Sequence, residues 1–281
     1  MIDTGISGAM PEFPEWKRST LRWSYRAQMW TDLRGHGSMV ACIAAGTKGS
    51  GGRFNGVAPG ATLISCKTGF DDTELFQIYE FLLQQMDTGP IRHLVINNSY
   101  GLYSCAPVAP APPLAALVRT AVARGAVIVF AAGNNHVQIC RNQPSGCGPN
   151  SIWGVNSLED VITVGTVDRD NSLDQPAVGY SHCDSSRGPG QFARSLEKPD
   201  CVAPTYGGVL WGSGYVSMPW WGTSGAAPQV AGLAALLLEK HPDMSPQDVK
   251  NRIRGTCTPL PFPATCVGAG LIDCARALGD S

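Results

Sequence analysis

His36 lies between two glycines in Arg34-Gly35-His36-Gly37-Ser38, directly before the apolar run Met39–Ala45. The flanking glycines leave its imidazole accessible and let other backbone approach it, which suits a general base. Far downstream, Gly222-Thr223-Ser224-Gly225 opens onto the apolar run Val230–Leu238, with Pro228 where an early helical turn tolerates proline. A serine there is ordinarily a helix N-cap. To act as a nucleophile, Ser224 needs a base, an acid that orients the base, and donors for an oxyanion. Asp3, in Ile2-Asp3-Thr4-Gly5, offers the acid, although an Asx-turn is the plainer use of such a residue. Asp32, four residues before His36, is the rival and ranks second because that spacing puts it in the approach loop. Asn134 ends the run Val129-Phe130-Ala131-Ala132-Gly133-Asn134, a strand leading into a small-residue turn. Its amide is suited to donate to an oxyanion; a left-handed turn residue is the alternative. Among the other histidines, His241 reads as a helix end, and His93, His136 and His182 have no distinctive neighbourhood.

These residues must be positioned by something. Short apolar runs at Ala61–Cys66, His93–Ile96, Ala126–Ala131 and Val161–Val167 predict strands. Between them, Thr73–Met86 puts Leu75, Ile78, Tyr79, Leu82 and Leu83 on one helical stripe. Pro113–Arg124 repeats the pattern before Gly125, which reads as a stop. Val249–Arg254, preceded by Ser245-Pro246, predicts a late capped helix. Apolar strands alternating with amphipathic helices argue for an α/β fold with a mainly parallel central sheet covered on both faces, in three layers (α/β/α). Sites in such folds form at the carboxyl ends of strands, which is where Asn134 stands. No internal repeat or long linker interrupts residues 1–281, so a single domain is expected.

Composition narrows the function classes. Only 15% of the 281 residues are charged, against roughly 25% in typical domains. The formal net charge of −1 gives no general pull toward nucleic acid or anionic membrane. No apolar run approaches the roughly 20 residues of a membrane helix. Ten cysteines favour an oxidising, extracellular setting, yet Met1-Ile2-Asp3 opens with neither a basic leader nor an apolar stretch. Export would therefore require sequence upstream. Cys140/Cys147 and Cys257/Cys266 flank turn-rich loops and are candidates for local pairing, with the full connectivity open. Cys42 and Cys66 sit inside apolar segments, as buried free thiols do. No cysteine or histidine spacing fits zinc. Asn97-Asn98-Ser99 matches a glycosylation sequon but follows a predicted buried strand, so modification is not expected.

Asp-Thr-Gly at residue 3, Gly-His-Gly-Ser at 35, Ala-Ala-Gly-Asn at 131 and Gly-Thr-Ser-Gly-Ala-Ala-Pro at 222 occur in that order. Together they resemble the four signatures of the subtilisin-like serine proteases. Phe54–Pro59, Asn97–Gly101, Ser186–Pro189, Lys198–Asp200 with Ala203-Pro204, and Gly268–Leu271 extend the resemblance over nearly the whole chain. It implies a serine endopeptidase with Ser224 as nucleophile, His36 as base and then acid, Asp3 orienting His36, and Asn134 as oxyanion donor. Extended peptide would lie along Ser99-Tyr100-Gly101, with Ala131-Ala132-Gly133 as the opposite wall. Counting back from Val161–Gly165 puts Trp153 near the floor of the specificity pocket, which would then be shallow and prefer small or medium apolar side chains.

The resemblance implies peptide or protein substrates, with a prosegment or protein inhibitor as further partners. No cofactor is required for the chemistry. The loop Thr47–Arg53 lacks the asparagine-rich character of the family's strong calcium loop, so it does not support structural calcium. The chain departs from the pattern at Gly225, usually methionine, and at Gln229, usually histidine. Only Met1 and Ile2 precede Asp3, so most of the family's central strand ahead of the aspartate is expected to be absent. That absence favours a second reading, a catalytically impaired domain that binds peptides. An α/β-hydrolase esterase is disfavoured, because Gly222–Ala226 is not G-x-S-x-G and the triad order differs.

Overall fold

The computed structural model describes residues 1–24, 30–101, 113–136, 151–173, 185–192 and 198–279. Its elements run β1 (Ile2–Asp3), β2 (Arg18–Ser24), α1 (His36–Ala45), β3 (Leu63–Lys67), α2 (Asp72–Asp87), β4 (Val95–Asn98), α3 (Pro113–Ala123), β5 (Val127–Ala131) and β6 (Ile162–Val167). Then follow β7 (Cys201–Pro204), β8 (Gly207–Trp211), β9 (Gly214–Met218), α4 (Thr223–Lys240), α5 (Pro246–Thr256), α6 (Ala264–Val267) and α7 (Cys274–Leu278). Seven parallel strands form one sheet in the order β2-β3-β1-β4-β5-β6-β7, and β8 and β9 make a separate antiparallel hairpin.

α1, α2 and α3 carry the crossovers from β2 to β3, β3 to β4 and β4 to β5, as parallel neighbours require, and helices cover both faces of the sheet. β5 makes the layering explicit. Val127, Val129 and Ala131 point into one cluster with Val230, Leu233, Ala234 and Leu237 of α4. Ile128 and Phe130 point into the other, with Ile78 and Leu82 of α2 and Val118 of α3. The period of two is that of a strand, and both faces are apolar because both are buried.

Local chemistry sets the helix ends. Asp71 caps α2, its side chain accepting from Thr73 N at 2.9 Å. Ser245 and Asp248 form a capping box at α5, with Pro246 at its first position. Gly125, at φ 97°, follows α3 as the expected stop. β1 has two residues, held in register between Cys66 of β3 and Asn98 of β4.

The cysteine expectations need one correction. Cys257 carries a free thiol, and Cys266 is engaged in a disulfide with a different cysteine, so those two are not a local pair. Cys42 and Cys66 are free and buried, as apolar segments require. Cys140, Cys147 and His182 lie outside the described residues.

Candidate active site

Asp3 ends β1 at the carboxyl edge of the sheet, and His36 begins α1 beside it. His36 Nδ1 lies 2.7 Å from Asp3 Oδ1, and that oxygen also accepts from Thr4 N at 2.7 Å. Asp3 is only 1% exposed, so its charge faces the imidazole through little water. Two glycine contacts allow the approach. A Cβ on Gly37 would sit 2.1 Å from Gly5 O and 3.1 Å from Asp3 Cβ, so a side chain there would push the histidine loop off the aspartate loop.

Asp32, the second-ranked acid, has different work. Its Oδ1 accepts from Thr4 Oγ1 at 2.9 Å and Gly35 N at 2.8 Å, and its Oδ2 from Ser38 N and Ser38 Oγ at 2.8 Å each. It thus ties down the amides where α1 starts and joins the two loops. Burial is the largest influence on His36 and lowers its pKa. The hydrogen bond and charge of Asp3, with the charge of Asp32, outweigh it, and the net shift is upward from 6.5.

Ser224 lies in the first turn of α4. Its Oγ donates to Ser99 O at 2.9 Å, and Ser99 Oγ donates back to Ser224 O at 3.0 Å. The serine is thereby pinned to the end of β4, with its hydroxyl turned to Ser99 rather than to His36. Asn134 stands next to this turn. Its Oδ1 accepts from Thr223 N at 3.1 Å and Thr223 Oγ1 at 2.9 Å, which fixes the amide and turns Nδ2 away from Thr223. Gly222, at φ 64°, passes so near that a Cβ would meet Asn134 Nδ2 at 2.9 Å. Only glycine fits that place.

His36, Ser99, Tyr100, Gly101 and Ser224 line one cavity of about 1210 Å³, whose far wall includes Phe70, Phe76 and Leu114. Ala131, Ala132 and Gly133 are buried, and their main-chain groups bond within the fold. Ala131 O accepts from Asn156 Nδ2 at 2.7 Å, Ala132 N donates to Val164 O at 2.9 Å, and Gly133 N donates to Thr223 Oγ1 at 3.2 Å. Trp153 precedes the turn that lines the cavity. It is 6% exposed and extended at φ −117°, ψ 162°, just ahead of the single turn Gly154–Ser157. Gly154, Val155 and Asn156 of that turn face the cavity.

Sequence reading missed two residues here. Asn156 Nδ2 bridges Tyr100 O at 2.8 Å and Ala131 O, locking the ends of β4 and β5 together, and nothing in Gly-Val-Asn-Ser announces that role. Trp211 of the β8–β9 hairpin stands edge-on to His36, with ring centroids 6.3 Å apart, and stacks on Trp221 at 6.0 Å. The sequon asparagine, Asn97, is buried and donates through Nδ2 to Ser99 Oγ at 2.9 Å, which leaves it inaccessible to a glycan. Gln229, at the usual histidine position, donates to Pro204 O at 2.5 Å and Gly225 O at 3.0 Å, a purely structural bridge.

Comparison with known proteins fits this geometry. The Subtilase family profile matches residues 2–270. Serine protease AprX of Bacillus subtilis (strain 168) is 30% identical over 274 residues, covering 88% of this chain and 58% of AprX. Subtilisin DY of Bacillus licheniformis is 31% identical over 251 residues, covering 88% of this chain and 78% of that protein. Mycosin-4 of Mycobacterium tuberculosis is 32% identical, and the chain spans 57% of its length. Among solved structures, MycP1 with its N-terminal propeptide removed superposes with a TM-score of 0.69 at 25% identity, covering 100% of this chain and 89% of that one. A motif order, a sheet and a whole-chain profile match thus agree: the chain belongs to the subtilase family.

Proposed function

We propose that this chain is a serine endopeptidase in which Ser224 attacks a peptide carbonyl, His36 takes and returns the proton, and Asp3 orients His36. The observation that carries the reading is the part-buried Asp3–His36 contact of 2.7 Å, with His36 lining the same cavity as Ser224. With Asp3 accepting from Nδ1–H, the lone pair of His36 sits on Nε2, the atom that must receive the serine proton. For the attack, the Ser224 hydroxyl must leave Ser99 O and turn to that nitrogen. The oxyanion then forms beside Asn134 Nδ2 and the Ser224 N–H, where the positive end of α4 adds its field. His36 returns the proton to the leaving amine, and water repeats the sequence on the acyl-enzyme.

Substrate lies extended along Ser99–Gly101, main chain to main chain, with the apolar wall taking side chains. Peptide or protein substrates, a prosegment or protein inhibitor as partner, and chemistry needing no cofactor belong to the same reading.

One observation favours a second reading. The Ser224 hydroxyl donates to Ser99 O rather than to His36, which favours a catalytically impaired peptide-binding domain. The pH dependence separates the two. His36 is a base only when neutral, and its pKa is raised above 6.5. Turnover of a peptide substrate should therefore fall as pH drops, with the midpoint of the acid limb above 6.5. A profile flat down to pH 5 excludes a histidine base.

Asn134→Leu is expected to lower kcat by roughly 10²–10³ with KM little changed, because an oxyanion donor acts on the transition state. That range is the one measured for the equivalent change in subtilisin. A rise in KM with kcat preserved assigns Asn134 to ground-state binding instead.

A further inference from the structure

Hydrogen bonds hold His36 in two ways: Asp3 meets its Nδ1, and Asp32 ties down the amides where α1 begins. A ring pinned at one atom can still swing about that atom, and Nε2, which must face Ser224, is not the atom that Asp3 holds. A third hold comes from the β8–β9 hairpin. Trp211 stands at 88° to His36 with ring centroids 6.3 Å apart, inside the range in which aromatic rings touch. The contact extends to the residue before the histidine. A Cβ on Gly35 would lie 2.7 Å from both Cδ1 and Nε1 of Trp211, so the indole is seated on bare glycine backbone.

Trp211 is itself braced. Trp221, three residues before Ser224, lies against it at 27° with centroids 6.0 Å apart. Trp221 donates through Nε1 to Gly207 O at 3.0 Å and packs with Met39, Val40 and Val209. Leu210 and Tyr215, a cross-strand pair one step along from Trp211 and Gly214, occupy the other face of the hairpin. Leu210 is fully buried, and Tyr215 Oη donates to Glu12 Oε1 at 2.7 Å. The row Trp221–Trp211–His36 therefore runs from the serine-bearing turn to the base, with the hairpin anchored behind it.

On the serine endopeptidase reading of this site, we infer that Trp211 is a positioning residue for His36: its indole stops the imidazole from swinging about the Asp3 bond and keeps Nε2 turned toward Ser224. It acts through His36 and moves no proton itself. A base misplaced by about 1 Å costs on the order of 10²-fold in rate, and the loss falls on the chemical step rather than on binding. The contact is one of shape, so another flat ring of similar reach can serve and a branched aliphatic side chain cannot.

The test uses the full chain, with kcat and KM measured on a fluorogenic peptide for the parent, Trp211→Ala, Trp211→Leu and Trp211→Phe, each beside its melting curve. Trp211→Ala and Trp211→Leu should lose roughly 10- to 100-fold in kcat with KM within about twofold of the parent, and Trp211→Phe should return kcat to within about threefold. Trp211→Leu keeps apolar cover over Trp221 without a ring, and it stands in if Trp211→Ala does not fold. Parental kcat in either variant, an effect confined to KM, or a Trp211→Phe as slow as Trp211→Ala overturns the inference and leaves the endopeptidase reading standing. Failure of both Trp211→Ala and Trp211→Leu to fold assigns Trp211 to stability and overturns it as well. A folded parent without turnover overturns the endopeptidase reading, and this inference with it.

Discussion

Ser224→Ala is expected to reduce kcat by about 10⁶-fold, the loss measured when the nucleophile of subtilisin itself is removed. On the proposed reading, the oxygen deleted is the one that would form the acyl bond. The other nucleophile candidate in the cavity, Ser99 Oγ, is committed as donor to Ser224 O at 3.0 Å. The fold should survive, because α4 is held by Val230, Leu233, Ala234 and Leu237 in the core rather than by the hydroxyl. An unchanged melting temperature with turnover of a fluorogenic peptide at background is the expected pair of results. Turnover within a hundredfold of the parent assigns the attack to another residue.

Asp3→Asn is expected to cost roughly 10⁴ in kcat, the scale found when a triad aspartate is made neutral without loss of shape. Asp3 Oδ1 accepts two bonds, from Thr4 N and from His36 Nδ1, at 2.7 Å each. An asparagine keeps both only if its amide oxygen takes the Oδ1 place, and neither if its amide nitrogen does. If its amide nitrogen meets Nδ1, the imidazole must carry its proton on Nε2, the wrong tautomer for a base. The substitution also removes a charge that raises the pKa of His36. Residual activity should therefore show an acid limb displaced to lower pH. A loss of less than tenfold, with the limb unmoved, removes Asp3 from the mechanism and returns attention to Asp32.

Much of this was legible in residue order. The strands Ala126–Ala131 and Val161–Val167 and the helix Thr73–Met86 were readable because a buried parallel sheet and its crossovers leave strong periods in the sequence. The observed β5, β6 and α2 differ from those bounds by one or two residues. His36, Ser224 and Asn134 were readable because small neighbours must surround them. Other parts were not. β2 is half exposed along its length at the sheet edge, so its period is blurred. The β8–β9 hairpin turns at Gly212-Ser213, a two-residue signal outweighed by the glycines around it. Counting from a strand fixes the position of Trp153 along the chain but not the direction of its side chain. Cys257 and Cys266 looked paired for a similar reason: nearness in sequence said nothing of the strand beside which Cys257 comes to rest.

The central claim is that Ser224 is an activated nucleophile, and a fluorophosphonate probe tests it most directly. Such a probe bonds covalently to a serine only when a neighbouring base draws off its proton. The native chain should take up one equivalent by intact mass, at Ser224 on peptide mapping, faster at neutral pH than at pH 5. His36→Ala should slow uptake to the rate of an ordinary serine. A folded native chain that stays unlabelled, or that is labelled at another residue, contradicts the account.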